Sequence, residues 1–288
     1  MNKSFFEELK YKVFQSGNPV FFYIGINVLI FVIVAFMGIP FFLSGIAAVD
    51  FPSFIREYLG YPASLEKLPS RFYTVITYQF FHDGFMHLLF NMLWLYWMGK
   101  IFLDFLKPRQ FHFVYLVGGM AGAALYTLAY NVFPVFAATV ANATVIGSSA
   151  AVMAVVVATA TLVPDYSIRL LLLGDVKLKY LAMAYIAMEL IGLASANAGG
   201  SFTHIGGALL GFVFIKLLQK GKDWSKLFKR KPKLKVVRNE PTNSTSNKSR
   251  QNSVNQHEVD AILDKISKSG YDKLSKEEKE TLFKASKH

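Results

Sequence analysis

Six apolar stretches, each roughly 17 to 25 residues long, constrain this chain more than any other feature of its sequence. A helix of that length crosses the ~30 Å hydrocarbon core of a bilayer. We place the six spans at residues 20–42, 78–98, 111–133, 145–163, 178–196 and 202–218. With 53% hydrophobic residues and a mean hydropathy of +0.35, the chain is too apolar for a water-soluble globule. The sequence therefore predicts an all-α polytopic membrane protein built as a six-helix bundle.

Composition divides the chain into four predicted parts. These are a cytoplasmic N-terminus (1–19), the membrane domain (20–219), a basic and polar linker (220–257) and a small cytoplasmic helical tail (258–288). The first span does not resemble a cleavable signal peptide, because its apolar run is too long and Glu7 and Glu8 precede it. We expect it to remain as a membrane anchor.

The distribution of Lys and Arg predicts the orientation, because short connections rich in these residues stay in the cytoplasm. The connections at 131–144 and 197–203 contain neither residue and are expected outside. Basic residues instead lie at the amino end and in the second-to-third and fourth-to-fifth connections, namely Lys3, Lys10, Lys12, Lys100, Lys107, Arg109, Arg169, Lys177 and Lys179. Both termini are therefore predicted to be cytoplasmic.

This topology brings four polar residues to one depth. The chain enters spans two, four and six from the outer side, so Ser149 near the start of span four can approach His204 near the start of span six. His87 and Asn91 lie in the outer half of span two, and their i, i+4 spacing puts them on one helix face. We expect these four residues to converge.

Such a set provides the parts of an acyl-transfer site. A serine hydroxyl becomes a nucleophile when a neighbouring base removes its proton, and His204 is the candidate base for Ser149. The developing oxyanion needs donors, for which the candidates are the backbone N–H of Ser149 and the side chains of His87 and Asn91.

No acidic residue is expected to complete a triad. Asp165 and Asp175 fall in a cytoplasmic connection, and Glu189 falls in the middle of span five. The sequence therefore predicts a Ser-His dyad. An ionisable residue within a span indicates a function or a buried hydrogen bond, and we expect Glu189 to line a lateral opening between spans two and five or to be protonated and hydrogen-bonded. His82 and Asp83 are expected to organise the mouth of span two.

Small residues predict which spans pack closely, because they let helix backbones approach one another. Two GxxxG pairs and several alanines carry this signal, namely Gly207 and Gly211 in span six, Gly118 and Gly122 in span three, and Gly147, Ala150, Ala151 and Ala154 in or beside span four. We expect spans four and six to be in contact.

Three motifs, HDGFMHLLFN, GSSA and HIGGALLG, occur in an order and at separations that resemble the rhomboid intramembrane serine proteases of the six-helix bacterial type. The resemblance covers roughly residues 70 to 218. It implies that Ser149 is the nucleophile and His204 the base, that His87 and Asn91 stabilise the oxyanion, and that Gly147 is the first glycine of the serine motif. It also implies cleavage of transmembrane segments of other proteins near their outer ends, without metal or cofactor.

Three positions depart from the family pattern. Ala150 replaces the glycine that usually follows the serine, Met153 replaces an aromatic ring that several bacterial members place against the histidine, and Ser70 replaces a tryptophan before Arg71. The alternatives are a catalytically inactive, rhomboid-like protein that binds membrane proteins, or a small-solute transporter using the same polar residues and Glu189. The absence of evident internal repeats weakens the transporter hypothesis.

The last part of the chain is strongly basic. Residues 216–288 hold 19 Lys and Arg against nine Asp and Glu, and a cluster at 220–238 is expected to bind anionic membrane lipid rather than nucleic acid. Beyond the linker, an amphipathic stripe predicts one helix that stops near Gly270, and a capping box of Ser275 and Glu278 predicts a second. This tail either simply ends the chain or docks a cytosolic partner. The sequence contains no cysteine and no metal-ligand spacing, so no cofactor is expected.

Overall fold

The computed structural model describes residues 4–45, 51–170, 174–195, 197–228 and 256–286. It divides into two compact units, Met1–Arg230 and Lys231–His288. The described residues are mostly helical, as predicted.

The first unit consists of helices joined by short connections. Its helices are α1 (Phe5–Lys10), a π-helical turn (Tyr11–Gln15), α2 (Pro19–Leu43), α3 (Phe51–Leu59), α4 (Thr74–Thr77), α5 (Phe85–Phe105), α6 (Pro108–Val132), α7 (Ser149–Leu162), α8 (Leu178–Gly192) and α9 (Ala198–Gln219), with 3-10 turns at Tyr78–Phe80, Pro134–Phe136 and Trp224–Phe228. Two antiparallel strand pairs join β1 (Tyr61–Pro62) to β2 (Thr144–Val145) and β3 (Ser167–Leu170) to β4 (Gly174–Lys177).

Helices lie at all six predicted spans. Within the described residues, three helices are long and apolar enough to cross a membrane, namely α2, α6 and α9, while α7 is apolar but shorter. The protein is therefore an integral membrane protein, and the count of six spans stays a prediction.

Two of the helices begin later than predicted. Span two was predicted to begin at residue 78, but α5 begins only at Phe85, after Gly84 with a φ of +141°. Span four was predicted to begin at residue 145, but residues 144 and 145 form β2, which pairs with β1. The positive φ of Gly84 interrupts helical backbone before α5. The strand pair does so before α7, which therefore starts at Ser149.

The end of α8 and the start of α9 also differ from the prediction. Span five was predicted to continue to residue 196, which lies outside the described residues, but α8 ends at Gly192. Span six was predicted to begin at residue 202, but α9 begins earlier, at Ala198. The earlier start lengthens the part of α9 that lies near the end of α8.

Helix α7 forms the centre of the first unit. All of its residues from Ala150 to Ala160 are buried, and it packs against α5, α6, α8 and α9. By contrast, α8 buries only Leu178 and Ala182, and α2 leaves many apolar side chains on the surface. Apolar side chains on the outside of such a bundle face lipid, so α2 and α8 lie at its periphery.

The predicted close contact between spans four and six is confirmed. A Cβ atom on Gly207 would clash with the carbonyl oxygen of Ala150, and one on Gly211 would clash with that of Ala154. A Cβ atom on Gly118 of α6 would clash with the methyl of Ala154. The GxxxG pairs of α9 and α6 therefore bring both helices against the backbone or small side chains of α7.

The connection between α2 and α5 is held by polar contacts. Arg71 donates hydrogen bonds to the backbone oxygen and the carboxylate of Glu57 on α3, and Lys67 lies 3.4 Å from the same carboxylate. The hydrogen bond from Arg71 holds the pKa of the Glu57 carboxyl below its ordinary value. Arg71 thus has a clear role in this connection even though the tryptophan of the family pattern is absent.

The second unit contains the two helices predicted for the tail. They are α10 (Gln256–Ser269) and α11 (Lys276–Ala285), separated by Gly270 with a φ of +82° and a 3-10 turn at Tyr271–Lys273. The predicted capping box is present, because Ser275 Oγ accepts from the Glu278 N–H at 3.2 Å and Glu278 Oε2 accepts from the Ser275 N–H at 2.7 Å. Most of the linker and of the basic cluster lies outside the described residues.

The predicted orientation can be tested with single cysteines, because the native chain has none. Thr139 lies in the connection between α6 and α7, Ser167 lies in β3, and both are exposed. We expect a membrane-impermeant maleimide to label Thr139→Cys on intact cells and Ser167→Cys only after lysis, since the first connection is predicted outside and the second inside. Labelling of Ser167→Cys on intact cells would contradict the orientation.

Candidate active site

A cavity of about 370 Å³ among α5, α7, α8 and α9 contains the four polar residues that the sequence predicts to converge. Ser149, His204, His87 and Asn91 all line it. The remaining wall is mostly apolar and aromatic, with Met86, Phe90, Trp94, Val152, Tyr185 and Asn197. A largely apolar cavity with a few convergent polar groups is the usual form of a binding or active site.

A larger cavity, of about 720 Å³, lies between α2 and α3 and contains neither Ser149 nor His204. Its wall is mostly aliphatic and aromatic, and Arg56, His82 and Asp83 are its charged or titratable residues. Of these two cavities, the smaller contains a nucleophile together with a base, so its residues and not its volume identify it as the candidate active site.

The segment before α7 fixes the position of Ser149. The β1–β2 pair holds residues 144 and 145, and the N–H of Gly147 donates to the carbonyl oxygen of Tyr78 at 3.0 Å. Ser149 is the first residue of α7, where backbone N–H groups have no partner within the helix. The hydroxyl of Ser149 thus lies beside unpaired N–H donors.

The ring of His87 lies against Gly147. A Cβ atom added to Gly147 would be 2.8 Å from His87 Cε1 and 2.9 Å from Nε2, and 3.6 Å from the Oγ of Ser149. Gly147 also has a φ of +129°, which favours glycine over other residues. Glycine at this position therefore serves both the backbone turn and the close approach of His87.

Asn91 is fixed by its own helix. Its side-chain amide donates to the backbone oxygen of His87 at 2.7 Å, and the residue is 8% exposed. An amide nitrogen carries two hydrogens, so one N–H remains for a second acceptor.

His82 and Asp83 connect the mouth of α5 to its neighbours, which confirms their predicted role. His82 Nε2 lies 3.1 Å from Ser148 Oγ, and Asp83 Oδ1 accepts from the Nε of Arg56 at 2.9 Å. The link between His82 and Ser148 was not predicted, because a serine adjoining a candidate nucleophile carries no sequence signal of its own. It holds the loop that precedes Ser149.

The expectation that no acidic residue lies near His204 was wrong. Glu189 Oε1 lies 2.8 Å from His204 Nδ1. The reason is the early end of α8, which puts Glu189 in the last turn of that helix, level with the second turn of α9 where His204 lies. The carboxylate lies to one side of the N–H direction, so the contact is close without being a linear hydrogen bond.

Ser149 and His204 share the cavity without a hydrogen bond between them in the part of the chain that the structure describes. Catalytic hydrogen bonds are often long or poorly aligned before a substrate binds. The two residues are therefore related by lining the same cavity.

Ala150 and Met153, the two residues near Ser149 that depart from the family pattern, both point away from the cavity. The methyl of Ala150 lies where a side chain of Gly122 would be, 2.6 Å from the position of a Cβ on that glycine. Met153 is buried in a cluster with Val157 and Ala208. Neither side chain lines the cavity that holds Ser149.

The fold and the cavity together define a helical integral membrane protein with a serine and a histidine facing one buried space. A family model described as the Rhomboid domain matches residues 69–221, which is more than half of the chain. The chain belongs to the rhomboid family of intramembrane proteases, as the motifs indicated. Residues 246–288 match a family of unknown function, DUF6576. The comparison with curated proteins gave no match.

The contact between Gly147 and His87 can be measured by comparing two glycine substitutions. Gly147→Ala and Gly84→Ala both place an alanine at positive φ, but a Cβ at Gly84 meets nothing within 4 Å. Backbone strain of this kind costs about 1–3 kcal/mol. We expect both variants to melt at lower temperature in detergent and Gly147→Ala to lose more, because only it also displaces a side chain. Equal losses would show that His87 does not restrict this position.

Proposed function

We propose that this rhomboid-family protein is an active serine protease that hydrolyses peptide bonds in or near transmembrane segments of other membrane proteins. The observation that carries this proposal is the cavity at the start of α7, which contains Ser149, His204, His87 and Asn91. A soluble protease would not need its nucleophile at the end of an apolar, buried helix. A membrane substrate, which arrives from the surrounding lipid, does require such a location.

The reaction begins with the attack of Ser149 Oγ on the carbonyl carbon of the scissile bond. His204 takes the hydroxyl proton as the new C–O bond forms. The tetrahedral intermediate then breaks its C–N bond, and His204 returns the proton to the leaving amine. A water molecule, deprotonated by His204, attacks the acyl-enzyme, releases the new carboxylate end and restores the serine hydroxyl.

Three groups are assigned to the oxyanion. The N–H of Ser149 at the start of α7 carries the partial positive charge of a helix amino end. His87 and Asn91 also line the cavity, and the amide of Asn91 has a second N–H to donate. Donors fixed in advance in a site of low polarity stabilise the developing charge strongly, and loss of one typically costs about 10²- to 10³-fold in rate.

The proposed activity is supported over an inactive relative by the polar groups that remain. All four of the residues assigned to the reaction are present. The methyl of Ala150 packs towards Gly122 on α6, so it does not occupy the cavity. Met153 likewise leaves the cavity free, because it packs against α9.

The proposal also includes the location and the orientation of the protein. We assign both termini to the cytoplasm and the protein to a bacterial cytoplasmic membrane, where the basic segment after α9 binds anionic lipid. The two-helix C-terminal unit either ends the chain or docks a cytosolic partner. No metal or cofactor takes part in the proposed chemistry.

The proposal is tested by labelling the purified protein in detergent with a fluorophosphonate, which reacts with activated serines. We expect the native chain to be labelled and Ser149→Ala and His204→Ala to lose labelling, because the first lacks the nucleophile and the second lacks the base. Ser70→Ala, which changes an exposed serine in the connection before α4, is the matched control and should label as the native chain does.

Cleavage of a transmembrane test substrate in liposomes provides the second readout. Loss of cleavage in both variants, together with retained melting temperatures, would support the dyad. A folded native chain that neither reacts with the fluorophosphonate nor cleaves the substrate would favour the inactive, binding-only alternative.

The role of Ala150 is tested by restoring the glycine of the family pattern. Ala150→Gly should leave the labelling rate of Ser149 unchanged, because the methyl points to Gly122 and not into the cavity. The same variant should lose roughly 1 kcal/mol of stability, since glycine is unfavourable in a helix. A rise in labelling rate would instead show that the methyl obstructs the oxyanion site.

A further inference from the structure

We propose that Glu189 is a positioning residue that holds the ring of His204 by accepting a hydrogen bond from its Nδ1. The inference rests on the proposed function, because it assumes that His204 is the base of the reaction. It adds a carboxylate from α8 to a site that the motifs assign to α5, α7 and α9 alone.

The direction of the Glu189 side chain is the first observation. Its neighbours in sequence, Met188, Leu190 and Ile191, are exposed by 61%, 56% and 76% on the outside of the bundle. The side chain of Glu189 is only 12% exposed and points inwards to α9. An ionisable side chain among apolar surfaces is costly unless it is paired or lines a polar cavity. The position is therefore better suited to a specific partner than to solvation.

The contact itself is the second observation. Glu189 Oε1 and His204 Nδ1 are 2.8 Å apart, a separation typical of a charge-assisted hydrogen bond. His204 Nδ1 is buried and has no other hydrogen-bond partner in the described part of the chain. Ser201, one turn before His204 on α9, lies beside the same carboxylate.

The chemistry of imidazole explains what this contact would do. In a neutral ring one nitrogen carries the proton and the other carries the lone pair. A carboxylate at Nδ1 favours the proton there, which leaves the lone pair on Nε2. A base needs that lone pair to accept the proton of Ser149. Glu189 would thus select the tautomer and the ring orientation that the reaction requires.

The sequence gives a reason why this chain would need such a residue. Several bacterial members of the family place an aromatic ring against the histidine, one turn after the serine, whereas this chain has Met153 there. Met153 packs with Val157 and Ala208 and does not line the cavity. The orientation that an aromatic ring would provide can come from Glu189 instead.

The experiment measures the rate of fluorophosphonate labelling of Ser149 in the full-length protein in detergent. Glu189→Gln keeps the size of the side chain but removes the charge, and we expect it to slow labelling on the order of 10²-fold. Glu66→Gln makes the same change at an exposed position and should label at the native rate. The melting temperature of each variant shows that the protein is folded.

Chemical rescue separates a positioning role from a structural one. Glu189→Ala leaves space beside His204, and added formate should raise its labelling rate severalfold while leaving the native rate unchanged. A purely structural role would not respond to formate in a folded protein. This variant also keeps the inference testable if Glu189→Gln does not fold.

Two outcomes would overturn the inference, and they are distinguishable. If the native chain is labelled and Glu189→Gln or Glu189→Ala is labelled equally fast, Glu189 has no positioning role and the proposed dyad remains. If the folded native chain is not labelled at all, the proposed function fails, and the role of Glu189 in it fails with it.

Discussion

The burial of a short helix is the constraint on which the rest of the structure depends. Helix α7 has 14 residues, so it extends about 21 Å, which is less than the ~30 Å hydrocarbon core. A helix of this length cannot reach both surfaces when it stands upright in a bilayer. If its carboxyl end lies near one surface, Ser149 at its amino end lies below the other. The surrounding helices must then supply every polar partner at that depth.

The structure meets this requirement by pairing polar groups between helices. Tyr23 on α2 hydrogen-bonds His112 on α6 at 3.0 Å, and Asn27 donates to Tyr115 at 3.1 Å. Around the cavity, by contrast, Asn91 donates to the backbone of its own helix. An unpaired polar group in apolar surroundings costs about 1–3 kcal/mol or more. Such pairs therefore stabilise the bundle while they restrict the side chains near the serine.

The sequence was sufficient to predict the helices and the four polar residues of the cavity, but not every contact around them. Apolar length predicts a membrane helix because the bilayer leaves few other backbone structures, and the small residues at Gly207 and Ala150 predict which helices touch. Glu189 could not be assigned a partner, because α8 is apolar on most sides and its sequence does not determine its rotation. The start of α7 could not be predicted from the sequence either, because it depends on the pairing of Tyr61 with Val145.

The interlocking of Ala150 with Gly122 has a consequence for how this site can vary. The methyl of Ala150 on α7 occupies the space that a side chain at Gly122 on α6 would need. A side chain at Gly122 would also meet the backbone oxygen of Thr203 on α9, so a smaller residue at position 150 would not by itself make room for it. The space between α6 and α7 beside Ser149 therefore has room for one methyl group, and Ala150 provides it.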